Sequence, residues 1–288
     1  MDKINVLAIF PEIEKKSISS FLSKRLSETG HESFINDLNI ITSIAASVNW
    51  EEALLTSRMD AVCLPLNHIS PNIPFDFNIF AIHSRKIPQK IILCKDACFD
   101  PAQDLKLKEC CRIGVPDVLS SIQVKHLNST ISPIIHDAVD VSRFYTNSDE
   151  FDAILVNESE ITENKNHEEY HYINLHQSEF LEEVGADKIA WVCHRESREV
   201  KKHVYDAFHD TSLVPMSNVE RSISRHFNAQ KNIVLKTFIY MDSRNFYHLK
   251  ASLIDIEKGT YHEHKISQST HFQLAEKMIT VLDSFIKN

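Results

Sequence analysis

Glycine is nearly missing from this chain: there are 4 in 288 residues. Backbone amides cradle phosphate where glycines let the chain turn tightly and approach the ligand closely, so this composition weighs strongly against a phosphate loop. No G-x-G-x-x-G, Walker-type or G-x-S-x-G sequence occurs, which removes the dinucleotide, nucleoside triphosphate and serine-hydrolase signatures. Proline is also sparse, at 9, so extended linkers and low-complexity disorder are not expected. No run of 18 apolar residues suggests a membrane helix. The opening MDKINVLAIFPEIEKK has acidic flanks and no small-residue cleavage pattern, and is expected to form a first strand, not a secretory leader. Positive charge is in deficit too. The net charge of −9 argues against nucleic acid or an anionic membrane as a partner.

The 43% hydrophobic and 25% charged fractions are those of a globular protein, long enough for two or three domains. Six cysteines are present: Cys63, Cys94, Cys98, Cys110, Cys111 and Cys193. None forms a zinc-type C-x-x-C pair, and Cys110–Cys111 cannot aim two thiolates at one ion without strain. Several lie in apolar runs (AVCLPL, IILCKDA, IAWVCHR), where a thiol behaves as a small hydrophobe. A reduced, cytoplasmic protein without a metal is expected.

Apolar runs alternate with amphipathic segments over the first two thirds. INVLAIF, HESFIND, DAVCLPL, FNIFAIH and KIILCKDA have strand character, while SISSFLSKRLSETG, ending at Gly30, and WEEALLTSR have helical spacing. The rhythm restarts with CRIGVP, VLSSIQVKHL, TISPI, HDAVDVSRFYTN and FDAILVN. YHYINL, SEFLEEVG, KIAWVCHR and the helical ESREVKKHVYDAFHD follow. Such βαβ alternation predicts largely parallel sheets with helices on both faces. The last seventy or so residues differ. Ser217 and Glu220 have capping-box spacing ahead of a helix, three alternating strands follow, and HFQLAEKMITVLDSFI closes the chain as a helix, an α+β pattern.

Two metal-like patterns arise. His167-Glu168-Glu169-Tyr170-His171 matches HExxH, whose chemistry needs both histidines on one rigid buried helix. Its surroundings, ITENKNHEEYHYIN, are polar, so a solvated loop is expected. His262 and His264 lie two apart on a strand and share a face, which we expect to be solvated.

Several segments, in order, resemble the hydroxymethylbilane synthase (porphobilinogen deaminase) family. EEALLTSRMDAVCLPLNHISP at 51–71 is similar to the stretch that ends in the family's HSMKDVP. CKDACFDPAQDL at 94–105 resembles its ERxDPRDAF, and CRIGVPDVLSSIQ at 111–123 its IGTSSLRR. DEFDAILVNESEI at 149–161 resembles GEYDAIxLAxAGL, and VGADKIAWVCHRESREVKKHVYDAFHD at 184–210 resembles VGQGAxGIExR with its following helix. NVERSISRHFNAQKNIVLKTF at 218–238 resembles AERAxxxxLxGGCxVPIxxx. The resemblance spans nearly the whole chain and rests on the ordered set. It implies two periplasmic-binding-protein-like α/β domains around a cleft plus a small C-terminal αβββα domain. The domains are expected at 1–95, completed by about 190–215, then at 96–189 and 216–288. In the family a cysteine of the third domain holds a dipyrromethane cofactor. An aspartate handles pyrrole protons, and arginines with a lysine bind acetates and propionates.

This chain departs at almost every such position. Lys231 stands where the cofactor cysteine belongs, preceded by Ala229 and Gln230 for two glycines. His68 replaces the aspartate and Asn67 the lysine beside it. Leu119 and Ser120 replace paired arginines, His136 and Ser142 two more, and the first-strand arginine falls near Phe10. The glycine-rich stretch before the first cleft helix is shortened to NIITSIAASVN. A lysine amine cannot form the thioether, so no dipyrromethane cofactor is expected. Each lost charge-assisted contact removes about 1.5–3 kcal/mol. Scaffold residues persist: Arg58, Asp60, Asp152-Ala153-Ile154 and Glu220-Arg221. The resemblance therefore implies a protein of tetrapyrrole biosynthesis by descent, without porphobilinogen deaminase activity. The alternative is a small-molecule-binding or regulatory protein using the cleft, lined by Asn67, His68, Leu119, Ser120, His136 and Ser142, with a small molecule as its partner. A third reading makes Lys231 an imine-forming nucleophile with His68 as base.

Overall fold

The computed structural model describes residues 4–10, 22, 24, 38–44, 49–56, 59–136, 141–146, 150–161 and 169–287. In chain order it begins with β1 (Ile4–Phe10), β2 (Leu38–Ile44), α1 (Trp50–Leu55), β3 (Ala61–Pro65) and β4 (Phe77–Ser84). Then come β5 (Lys90–Lys95), β6 (Arg112–Val115), α2 (Val118–Leu127), β7 (Ser132–Ile135), α3 (Val141–Thr146), β8 (Ala153–Asn157) and β9 (Tyr170–Leu175). The chain continues through β10 (Glu182–Glu183), β11 (Lys188–His194), α4 (Arg198–Phe208) and α5 (Leu213–Phe227). It ends with β12 (Ile233–Met241), β13 (Tyr247–Asp255), β14 (Thr260–Gln268) and α6 (Leu274–Lys287).

Contacts divide the chain into two units, Met1–Lys86 with Val184–Arg225, and Ile87–Glu183 with His226–Asn288. The first unit holds one sheet of order β2-β1-β3-β11-β4. Strands β1, β2 and β3 pair in parallel, and β11 inserts antiparallel between β3 and β4. Both faces are buried, which is why the strands are continuous apolar runs. Val6, Ala8 and Phe10 pack with Leu22, Trp191 and Phe208 on one face, while Leu7 and Ile9 pack with Leu54 and Val62 on the other. Helices α4 and α1 thus cover opposite sides. The expected parallel character holds for four strands; the reversed β11 is the correction. That strand enters through Gly185, whose φ is +78 and whose Cβ position lies 3.0 Å from Leu66, so only glycine fits.

The second unit repeats the design. Its first sheet has order β7-β6-β8-β5-β9, with β6, β7 and β8 parallel and β5 antiparallel to β8 and β9. Val124 of α2 lies on one face with Ile113 and Leu155, and Val141 and Phe144 of α3 lie on the other with Ile154 and Leu93. Strand β5, in the sequence a candidate end for the first domain, thus belongs to this sheet. The same unit carries an antiparallel sheet, β10-β12-β13-β14, with α6 packed on β13 and β14.

NIITSI, in the stretch that stands for the family's glycine-rich segment, forms strand β2 with Leu38, because seven residues find parallel partners on β1. HESFIND, Gly30 and Arg58 lie outside the described residues, as does most of SISSFLSKRLSETG, of which Leu22 is helical and buried. Ser217 is no helix cap. Helix α5 starts at Leu213, Pro215 sits in its first turn where proline is tolerated, and Ser217 is buried inside it. Glu220 turns away from the helix start to meet Lys188 at 2.8 Å, because a buried cation attracts a carboxylate more strongly than a peptide N–H does.

Candidate functional site

The residues singled out at the chemical positions stand mostly at the C-terminal ends of parallel strands, where α/β folds hold ligands. In the first unit β3 ends in a single 3-10 turn, Leu66–His68, that leaves Asn67 half-buried and His68 exposed. The loop beyond is pinned by Arg221, whose guanidinium donates to the carbonyls of Ile69, Ser70 and Pro71 at 3.4, 2.8 and 3.0 Å.

In the second unit β6 leads into α2. Asp117 caps this helix, accepting the Ser120 backbone N–H at 2.7 Å and the Ser120 hydroxyl at 3.1 Å. Ser120 is buried and Leu119 half-buried. The helix N-terminus, the natural anion site of this fold, is therefore filled by the chain's own carboxylate. Replacing Asp117 with alanine is expected to cost about 1 kcal/mol, and Asp117→Ser much less, as read by urea unfolding followed by circular dichroism.

His136 follows β7, and its Nε2 lies 3.6 Å from Glu150, while Arg143 of α3 donates to the same carboxylate at 3.1 Å. The Arg143 guanidinium is thus engaged with Glu150. Ser142 is exposed on α3 and accepts the Thr146 hydroxyl on its carbonyl. Phe10, near which the resemblance puts a first-strand arginine, is core.

Lys231 lies exposed in the turn between α5 and β12, held by Gln230 N–H donating to Phe227 O and Ile233 N–H to Gln230 O. No residue of this turn has positive φ, so Ala229 and Gln230 fit where the family has glycines. An exposed amine lacks the desolvation that activates an imine-forming lysine. His167 and Glu168 of HExxH lie outside the described residues. His171 is on strand β9, not a helix, and its Nε2 meets Asp96 at 2.7 Å. His262 is not on a bare sheet face: its ring stacks on Phe285 of α6, centroids 4.9 Å apart.

Two features have no clear sign in the sequence. Lys236, the single charge in IVLKTFIYM, is buried on β12 with its Nζ 5.6 Å from the Phe180 ring. Burial pulls its amine below the usual range against the pull of Glu182 and Asp117, and burial pushes the Glu182 carboxyl up. Beside it, the outer face of β12–β14 and the turn after β9 enclose a hollow of about 740 Å3. Phe238 and Tyr240 form its floor, and His176 meets Phe238 edge-on at 6.0 Å. His248 stacks on Tyr240 at 4.8 Å, and Lys250, paired with Glu263 at 2.8 Å, and the exposed Lys265 border it. Rings spaced two apart on β12 were the one available signal.

Neither a protein-family model nor a curated protein sequence matches this chain. Solved structures with similar folds include the BvgS VFT2 domain of Bordetella pertussis. It shows 13% identity and a TM-score of 0.36, covering 76% of this chain and 90% of that one. The OxyR2 regulatory domain of Vibrio vulnificus has 10% identity and a TM-score of 0.37, over 77% and 95% of the two chains. The substrate-binding protein AbpA of Streptococcus pneumoniae, solved with L-arginine, has 15% identity and a TM-score of 0.33, over 79% and 95%. Likeness at this level bears on neither ligand nor activity. The strand orders themselves give an α/β sheet in each unit, and the second unit also carries the antiparallel C-terminal sheet. Among the described residues no helix is long and apolar enough to cross a membrane.

Proposed function

We propose that this protein is a small-molecule-binding or regulatory protein of hydroxymethylbilane synthase descent that lacks deaminase activity. The loss of activity is supported by what fills the chemical positions. No cysteine follows Cys193, so the C-terminal sheet offers no thiol for a thioether. A growing polypyrrole carries several carboxylates, and here it would meet Asp117 at the α2 cap and a Glu150 already matched to His136 and Arg143. Descent is supported by the chain order of the last elements, α5-β12-β13-β14-α6, which is the αβββα order the resemblance implies.

The binding role is carried by the hollow on the C-terminal sheet. Its volume of about 740 Å3 lies within the 300–1,000 Å3 typical of small-molecule sites. Rings on its floor favour a planar ligand, and Lys265 at its border favours an acidic substituent. An aromatic carboxylic acid is the fitting class.

Incubation with porphobilinogen is expected to yield no hydroxymethylbilane, and intact mass to equal the bare polypeptide. Turnover, or a mass increment matching dipyrromethane, would refute the first half of the reading. A thermal-shift series of aromatic acids is expected to raise the melting temperature, with Phe238→Ala abolishing the effect. Absence of any shift across the series would refute the second half.

A further inference from the structure

Outside the hollow and the strand ends, the second unit gathers three potential metal donors from distant parts of the chain. Cys98 closes the short turn after β5, Cys111 precedes β6 and Asp152 precedes β8. Strand β5 runs antiparallel to β8, with Cys94 opposite Ala153, and β6 runs parallel to β8, with Ile113 opposite the same Ala153. The C-terminal end of β5 therefore falls beside the N-terminal ends of β6 and β8. The two sulfurs and a carboxylate oxygen all lie within 4.8 Å of one another. Cys111 is buried and Cys98 half-buried.

We propose that Cys98, Cys111 and Asp152 form a binding site for a zinc-class divalent ion. Two thiolates and one carboxylate are a donor set for borderline-soft, tetrahedral zinc, and three protein ligands leave a fourth position for water. The surroundings are those of a supported site. Asp152 is held by Arg112, which donates from its backbone N at 2.8 Å and from Nε and Nη2 at 3.1 Å each. Such a partner orients a ligating carboxylate and leaves it able to bind, because Oδ1 accepts only the Nη2 bond and keeps a second lone pair. Lys108 donates to the carbonyl of Ala97 at 2.7 Å, and Phe99 bridges to Leu107, so the loop carrying Cys98 is tied to the loop carrying Cys111.

Backbone strain coincides with the cluster. Leu105, Lys106 and Cys110 have φ of 55, 52 and 60, a left-handed conformation that costs non-glycine residues about 1–2 kcal/mol each. At Cys110 it turns one thiol outward to solvent while its neighbour Cys111 points into the core. Binding is balanced as two thiols losing two protons to solvent while two sulfur–metal bonds and one oxygen–metal bond form. Asp152 is ionised at neutral pH and releases none.

The test uses the full chain, stripped with chelator under reducing conditions and titrated with zinc chloride against a chromophoric chelator. One equivalent is expected to bind with release of about two protons, as ligand deprotonation requires. Cobalt substitution should give thiolate-to-metal charge transfer and tetrahedral visible bands. Cys98→Ser, on a half-buried side chain, should weaken binding at least tenfold, and Cys110→Ser should leave it unchanged. X-ray absorption on the zinc-loaded wild-type protein needs no variant, and should count two sulfur and two oxygen neighbours. No binding, affinity unaltered in Cys98→Ser, or a first shell without sulfur would each overturn the assignment. So would a Cys98–Cys111 disulfide that persists in reductant.

Discussion

Replacing Lys188 with methionine is expected to destabilise the first unit by about 3–5 kcal/mol, the usual result of stripping one partner from a buried ion pair. The side chain is 1% exposed, with its Nζ 2.8 Å from Glu220 and 2.6 Å from Asp187. Without the amine, Glu220 would be a buried carboxylate that has lost the Lys188 charge. Asp187 is more exposed and would rehydrate. The double variant Lys188→Met with Glu220→Leu is expected to recover most of the loss, since no orphaned charge remains.

The pH dependence has a definite sign. Burial by itself would lower the Lys188 amine, but Glu220 and Asp187 outweigh it and hold the proton above the ordinary lysine value of 10.5. A raised folded value means the stabilisation is fully present below the unfolded value and fades as pH climbs past 10.5 toward the folded one. The contribution of Lys188 itself should therefore be constant between pH 6 and pH 9. The Lys188→Met penalty should be no larger at pH 6 than at pH 9, because the buried Glu220 carboxyl takes up a proton more readily at lower pH. Trp50 and Trp191, the only two tryptophans, both lie in the first unit, so their fluorescence in urea reports this unit alone. A penalty below about 1 kcal/mol would show that the pair is not buried in solution.

Trp191→Ala is the second large effect, at about 3–5 kcal/mol. Trp191 is fully buried on β11, with Phe208 of α4 at 4.8 Å. Its removal opens a cavity between the sheet and the helix that only partial collapse can fill. Its Nε1–H has no hydrogen-bond partner among the described residues, so the indole contributes by volume and ring contact. Trp191→Phe should consequently cost far less than Trp191→Ala, because it keeps a ring against Phe208 and deletes a donor that burial penalises. Unfolding followed by circular dichroism ranks the three proteins. Equal losses in both variants would contradict this account of the contact.

Much of the architecture was legible because it rests on local pattern. The strands DAVCLPL, KIILCKDA and KIAWVCHR are apolar runs buried on both faces, and the three C-terminal strands alternate. The helix VLSSIQVKHL and the closing helix follow apolar spacing. Element type depends on residues three or four positions apart, and those are visible in one dimension. The capping box at Ser217 misled because the same spacing arises inside a helix, and Pro215 lay in the first turn where it breaks nothing.

The candidate sites were less legible. Cys94 read as part of an apolar run, Cys111 as half of an awkward vicinal pair, and Cys98 carried no reading of its own. Nothing in the linear order brings Asp152 to them, because that juxtaposition depends on β5 entering its sheet antiparallel. The hollow on the C-terminal sheet likewise needs the turn carrying His176 to lie over β12 and β13. By itself the sequence determined most of the elements and the helix, three strands and helix that close the chain, since these are matters of residue type and short spacing. Only the tertiary structure decided where charges and thiols meet: Lys188 with Glu220, Asp117 at its helix cap, Cys98 with Cys111 and Asp152. Such meetings are set by strand order and register, and those are chosen by whole buried faces and not by the residues that meet.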